Sequence, residues 1–357
     1  MTIHAFTSFS YSYLNRARVL ARTLKALHPD WVLWAVVTDR EPEGFYFDLA
    51  EEDFDRLLTA EDMFLEETES WLFGHDIVEA CTAVKGKAAV DILAQPDCDK
   101  LFYFDPDIAL VNDMSEVVSL LDTYSIALTP HQVDPEPRAA RSAIQDNEIA
   151  SLNYGVFNLG FVAIANDEEG RRFANWWDDR LRDWCHDRLD IGVFVDQKWC
   201  NLVPCFFDNV KVLRDPGYNV ASWNLSQRVM TYDDVGQACI NDRPLRFYHF
   251  TKLGAVGDTM TQRYAQSNTE VYELWWWYRQ QVLSLSSAKI PKGWWFYGTF
   301  ENGEKIPKSV RELYRVRGDL RKAFPHPFGS GVGSFHEWLG ANTELLVKDA
   351  IKGFQPV

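Results

Sequence analysis

Short apolar runs alternate with segments of helical period through most of this chain, and that alternation predicts an α/β fold. Ile3 to Phe6 reads as a first strand, Thr7-Ser8-Phe9-Ser10 as a polar loop, and Leu14, Val19, Leu20, Leu24 and Leu27 as the buried stripe of a helix. Trp31 to Val37 is apolar at every position, as in a parallel strand covered on both faces, and it ends at Thr38-Asp39. Residues 50 to 72 are acidic and helical in period, and Val84 to Leu93 predicts a further helix closed by Gln95-Pro96-Asp97. Lys100-Leu101-Phe102-Tyr103-Phe104 is a β-type run that stops abruptly at Asp105. Further strands are expected at Ser125 to Leu128, Val156 to Ile164, Val210 to Leu213 and Arg246 to Phe250, with an amphipathic helix at Glu169 to Leu189 between them. After residue 257 strand signals fade and Trp275-Trp276-Trp277-Tyr278 and Trp294-Trp295-Phe296-Tyr297 dominate. The division predicted is a catalytic α/β domain over 1–256 and a mostly helical, aromatic C-terminal region over 257–357.

Composition supports a folded chain: 46 % apolar and 14 % aromatic residues against 25 % charged leave ample material for a core. The six cysteines are scattered without a CxxC pair, which fits a reducing compartment and argues against structural zinc. The opening residues lack a basic segment followed by an apolar core, and no apolar run approaches the ~20 residues of a membrane span, so a cytoplasmic location is expected. Net charge is −16, but unevenly spread. Residues 1–242 carry 20 basic and 42 acidic side chains, residues 243–357 carry 16 and 10. An acidic main body excludes nucleic acid as a partner class, because phosphate binding needs basic surface. The basic, aromatic remainder suggests a surface for anionic glycans or for peripheral contact with a membrane face.

Chemistry concentrates at Asp105-Pro106-Asp107. Two carboxylates one residue apart point to the same side of an extended chain, and proline stiffens their spacing. Hard divalent cations such as Mn²⁺ or Mg²⁺ take such oxygens and share them with substrate phosphates. Bracketed by Leu101-Phe102-Tyr103-Phe104 and Ile108-Ala109-Leu110-Val111, the charges lie among strand residues and need a partner. They also stand at the carboxyl end of a strand, where open α/β sheets gather ligands.

The ordered set of short motifs resembles the GT-A-fold glycosyltransferases, most nearly the retaining glycogenin and lipopolysaccharide galactosyltransferase family, over roughly residues 3 to 254. The resemblance implies a Rossmann-like, mixed but mostly parallel sheet flanked by helices. It implies that Asp105, Asp107 and His249 hold Mn²⁺ or Mg²⁺ against a nucleotide-sugar donor. It places Lys87, in Lys85-Gly86-Lys87-Ala88-Ala89, near the donor's phosphates or sugar, and Asn158 and Gly160 of Asn158-Leu159-Gly160 against the sugar. Asp196-Gln197 matches the pair that faces the reacting centre, Asn219 a residue after the next strand, and Thr7, Ser8, Tyr13 and Asp39 the loops that receive base and ribose. The family continues past its histidine with a glycine and Lys-Pro-Trp, whereas this chain reads Phe250-Thr251-Lys252-Leu253-Gly254, so Lys252 stands in for the phosphate-binding lysine only by position.

The expectation is therefore a metal-dependent hexosyltransferase that moves sugar from a nucleotide-sugar to a glycan or lipid-linked glycan acceptor, with retention, in bacterial surface polysaccharide synthesis. Two other readings fit parts of the pattern. Haloacid-dehalogenase-type phosphatases also follow an apolar strand with Asp-x-Asp, but place Thr or Val where this chain has Ala109. A catalytically inactive sugar-binding module would use the tryptophans as stacking platforms, yet keeps no need for an intact Asp105, Asp107 and His249.

Overall fold

The computed structural model describes residues 1–342 and 344. Its strands run, in chain order, β1 (Ile3–Phe9), β2 (Val32–Val37), β3 (Arg56–Thr59), β4 (Lys100–Phe104), β5 (Ile108–Leu110), β6 (Ile126–Pro130), β7 (Phe157–Ala165), β8 (Asp187–Arg188), β9 (Val193–Phe194), β10 (Val210–Val212), β11 (Met230–Tyr232), β12 (Ala238–Ile240), β13 (Arg243–Pro244) and β14 (Phe247–His249). Seven of them build the central sheet in the order β10-β6-β7-β4-β1-β2-β3. Only β7 runs against its neighbours, pairing antiparallel with β4 and β6, while the other pairs are parallel. The mixed, mostly parallel sheet with flanking helices expected from the sequence is what the structure shows.

Alternation along each strand sorts side chains into two layers. Phe6, Trp34, Val36, Leu101 and Tyr103 face the layer that contains helices Ile77–Leu93 and Glu168–Trp184. Ala5, Phe9, Leu33, Ala35, Phe102 and Phe104 face the layer of helix Leu14–Leu27. Helices 77–93 and 168–184 cross closely at Gly86, where a Cβ would lie 2.5 Å from the Cα of Asp178.

Three local expectations are corrected. Thr7-Ser8-Phe9 is not loop but the end of β1, extended by its pairing with Ala35, Val36 and Val37. The acidic stretch 50–72 hides β3, whose Arg56 to Thr59 complete the sheet edge beside β2 before helices Ala60–Phe64 and Thr68–Phe73. The helix expected to reach Leu189 stops at Trp184, and the chain then turns into the small hairpin β8-β9.

After residue 257 the described elements are mainly helices, including Ala255–Ala265, Thr269–Ser284 and Lys308–Val316. Trp275 and Tyr278 pack on Tyr248 and Phe250, with the Tyr278 and Phe250 rings stacked at 3.8 Å. Tyr297, Phe300, Val310 and Tyr314 join the layer of helices 77–93 and 168–184. Among the described residues no helix is long and apolar enough to cross a membrane.

Candidate active site

Strand parity places the first carboxylate. Leu101 and Tyr103 face helix 77–93, and Asp105, two residues on, continues that side just past the end of β4. There Lys85 Nζ lies 3.1 Å from Asp105 Oδ1, 2.9 Å from Asp196 Oδ2 and 3.1 Å from the Leu159 carbonyl. Tyr103 Oη donates to Asp105 Oδ1 at 2.5 Å and lies 3.2 Å from Ser8 Oγ. Burial works against the Lys85 ammonium, but Asp105 and Asp196 outweigh it and hold its pKa well above the ordinary value. The same burial pushes the Asp196 carboxyl up to about 6 despite the ammonium beside it. The side chain of Lys85 is 2 % exposed, so this is a charge enclosed by two carboxylates and a carbonyl rather than a surface pair.

The second carboxylate and the imidazole meet through a two-stranded ribbon. β14 pairs antiparallel with β5, setting His249 opposite Ile108, and Phe250 N donates to Asp107 O at 2.8 Å. His249 Nε2 consequently sits 3.0 Å from Asp107 Oδ1 and 3.6 Å from Asp105 Oδ2. Burial disfavours the imidazolium, but Asp107 and Asp105 prevail and raise its pKa; burial likewise works against the Asp107 carboxylate, and His249 prevails and lowers it. Asp105, Asp107 and His249 each bring one ligand atom within 4.8 Å of the others. Two carboxylates and an imidazole, with Asp105 and Asp107 still partly exposed, form a donor set that fits a divalent cation with positions left open for a ligand.

Behind the cluster lies an amide network. Asn158 Oδ1 accepts from His249 Nδ1 (3.2 Å), Gly160 N (3.1 Å) and Asn219 Nδ2 (2.9 Å), which leaves His249 Nε2 directed at the carboxylates. Gln197 Oε1 accepts from Asn158 Nδ2 and Leu159 N, and Gln197 Nε2 donates to the Tyr154 carbonyl. Gly160 makes room for the imidazole. A Cβ there would lie 2.5 Å from His249 Cε1 and 2.7 Å from Nδ1.

The residues singled out in the sequence divide accordingly. Asp105, Asp107, His249, Asn158, Gly160, Asn219, Asp196 and Gln197 come together, and Ser8 reaches them through Tyr103. Lys87 does not: it points outward and pairs with Asp91, one helical turn on, while Lys85 takes the inward place. Two residues of helix turn the side chain by about 200°, so only one of the two lysines can face the sheet. The signal was available, since Ala88, Ala89 and Ile92 mark the buried face at three, four and seven residues after Lys85, and the Lys87–Asp91 spacing marks the wet one. Asp39 is buried and accepts backbone N–H groups of Tyr11, Arg40 and Phe296; burial pushes its carboxyl up to about 7 despite them. Thr7 is buried with an unpartnered hydroxyl, Tyr13 is 40 % exposed under the Arg16 guanidinium, and Lys252 lies in the turn after β14 at φ +55°.

Sequence reasoning missed Lys85, Tyr103, His131 and Trp223. His131 Nε2 lies 3.3 Å from Asn158 Nδ2, and burial pushes its pKa down to about 4. The Trp223 ring stands edge-on to His249, 5.3 Å between centroids, with its indole N–H buried and unpartnered. Their contacts arise only when distant loops fold together.

No family model matches the chain. It is 26 % identical over 161 residues to the uncharacterized protein YfnF of Bacillus subtilis (strain 168), covering 44 % of this chain and 51 % of that protein. With the uncharacterized protein YfnD of the same organism it shares 24 % over 204 residues, 56 % and 58 % of the two. The chain thus spans little more than half the length of the curated relatives it matches. Among solved structures it is similar to the glycosyltransferase GlyE of Streptococcus pneumoniae TIGR4, at 16 % identity over 80 % of this chain and 63 % of that one, TM-score 0.46. It is also similar to the galactosyltransferase LgtC, crystallised with donor and acceptor sugar analogs, at 16 % identity over 82 % and 99 % of the chains, TM-score 0.42. A third such structure is mouse xyloside xylosyltransferase 1, at 16 % identity over 71 % and 98 %, TM-score 0.41, so the solved structures named here are all glycosyltransferases.

Proposed function

We propose that this chain is a metal-dependent glycosyltransferase that takes a hexose from a nucleotide-sugar and passes it to a glycan or lipid-linked glycan. The observation that carries the reading is the Asp105-Asp107-His249 cluster at the carboxyl end of a central strand, where its partly exposed carboxylates leave room for a diphosphate. Mn²⁺ is the preferred ion, because it accepts an imidazole beside two carboxylates more readily than Mg²⁺ does. When bound, it supplies positive charge against the diphosphate as that group departs.

The chain's own groups do the rest. Lys85 locks Asp105 and Asp196 in fixed positions, so the carboxylates need not reorganise during reaction. Asp196 is the second carboxylate that Lys85 holds, and in this proposal it stabilises positive charge on the sugar ring. Gln197 acts through Asn158, whose carbonyl oxygen holds His249, and is a positioning residue in this scheme. Retention belongs to this proposal through the resemblance to the retaining family, with the acceptor attacking on the face that the diphosphate leaves. Assembly of a bacterial surface glycan from the cytoplasmic side is the setting we infer, supported by the exposed Trp276 and Leu283 on helix Thr269–Ser284 as apolar side chains for contact with a membrane face.

Thermal unfolding with a panel of nucleotide-sugars tests the central claim, since a ligand that binds only the folded chain raises stability by mass action. One nucleotide-sugar should raise the melting temperature in Mn²⁺ but not in chelator, and Asp107→Ala should abolish the rise. A panel that leaves the melting temperature unmoved in Mn²⁺ would sink the proposal.

A further inference from the structure

On the side of helix 77–93 where Glu79 begins it, a cavity of about 800 Å³ opens between the end of helix Glu168–Trp184, the turn after helix Thr68–Phe73, and the junction of helices Lys308–Val316 and Gly318–Ala323. Five cationic side chains line it, Arg182, Arg188, Arg315, Arg321 and Lys322, against the acids Glu67 and Asp183. A basic hollow on a chain of net charge −16 calls for an explanation. Arg182 is paired with Glu67, Arg188 with Asp190 and Arg315 with Glu79. Arg321 and Lys322 have no carboxylate partner among the described residues, and they leave the cavity with positive charge to be neutralised.

Two imidazoles add a second requirement. His75 Nδ1 donates to the Trp71 carbonyl at 2.7 Å and His186 Nε2 to the Asp183 carbonyl at 2.8 Å. Each ring therefore presents its other nitrogen, His75 Nε2 and His186 Nδ1, as an acceptor, and both are buried without a partner in residues that line the cavity. Burial pushes both rings down to about 3, so they stay neutral acceptors at physiological pH. Such acceptors want hydroxyl donors, which a fully ionised phosphate or carboxylate does not bring. Trp184, 40 % exposed, brings an indole ring to the lining. Negative charge, hydroxyl groups and an apolar ring face coincide in one chemical class.

We propose that this cavity binds an acidic saccharide, a sugar ring that carries a phosphate or carboxylate group, at a site separate from the Asp105-Asp107-His249 cluster. The claim does not depend on the glycosyltransferase reading. It is tested by calorimetric titration of the full chain, without divalent metal, with glucuronate, glucose 6-phosphate, glucose and inorganic phosphate. Glucuronate and glucose 6-phosphate should bind saturably, and glucose or phosphate alone at least about tenfold more weakly, since glucose lacks the charge and phosphate lacks the sugar ring with its array of hydroxyls. The exposed pair Arg321→Ala with Lys322→Ala should weaken the acidic sugars at least about tenfold, and Trp184→Ala should weaken them as well, while Asp107→Ala should leave their binding unchanged. Absence of saturable binding, binding that survives the Arg321/Lys322 change, or binding lost in Asp107→Ala would overturn the proposal. Phosphate that binds as tightly as glucose 6-phosphate would overturn its saccharide part.

Discussion

Gly160 and His249 are fitted to each other: the glycine on β7 leaves the space that the imidazole on β14 occupies, and any Cβ at position 160 would stand 2.5 Å from His249 Cε1. The obstacle is a side chain and not backbone, so a larger residue displaces the ring and spares the strand. Gly160→Ala is therefore expected to keep the fold, with a cost of about 1–3 kcal/mol for overpacking. Metal affinity should fall about tenfold to a hundredfold, as when a ligand's support is lost. Titration with Mn²⁺ followed by electron paramagnetic resonance reads the affinity, and unchanged affinity would show that the ring is not a ligand.

Lys85 and Lys87 offer a paired comparison. Lys85→Met removes the cation from between Asp105 and Asp196 and leaves buried carboxylates unmatched, which should cost about 3–5 kcal/mol. Lys87→Met breaks only its pair with Asp91 at the helix surface and should cost about 0–1 kcal/mol. Urea unfolding of both variants measures the difference. Equal midpoints would mean that the Lys85 clamp contributes nothing to the native state.

What the sequence disclosed follows from how local each signal was. The fully apolar run at Trp31 to Val37 and the run that ends at Asp105 needed no knowledge of their neighbours, and both became central strands. β3 was hidden because Arg56-Leu57-Leu58-Thr59 is a half-buried edge strand whose acidic flanks share a helical period. Helix 77–93 is buried on most of its circumference, so its inner face stands out only when the apolar positions after Lys85 are read together with the Lys87–Asp91 pair. The carboxylate pair was legible from one strand end, but the support of His249 by Asn158 joins residues 91 positions apart, and Trp223 reaches His249 through a loop that carries no pattern of its own.

Gly86 tests the packing that brings Lys85 to the sheet. In an open helix, glycine to alanine gains up to about 1 kcal/mol. Here the new methyl would lie 2.5 Å from the Cα and 2.7 Å from the N of Asp178, which are backbone atoms of the crossing helix and cannot rotate away. The crowding should win, and Gly86→Ala should destabilise the protein by about 1–3 kcal/mol. Denaturant unfolding supplies the sign, and a stabilised variant would show that the two helices have slack at their crossing.

Proton release should accompany metal binding at His249. In the metal-free site Asp107 and Asp105 raise the imidazole's pKa above its ordinary value, so the ring holds a proton that a cation must displace. While Asp107 stays ionised, the imidazolium's contribution to stability without metal is fully present below the unfolded histidine pKa of about 6.5, and it is lost as pH rises through the raised folded value. Metal affinity runs the other way and should climb with pH across the same window, levelling off above the raised pKa. Calorimetry of Mn²⁺ binding in buffers of different ionisation enthalpy counts the protons, with up to about one released near neutral pH and fewer as pH rises. His249→Gln should remove both the release and the pH dependence of stability that comes from this pair. If the wild-type protein binds Mn²⁺ without releasing a proton at pH 6, His249 is not the group that the metal displaces it from.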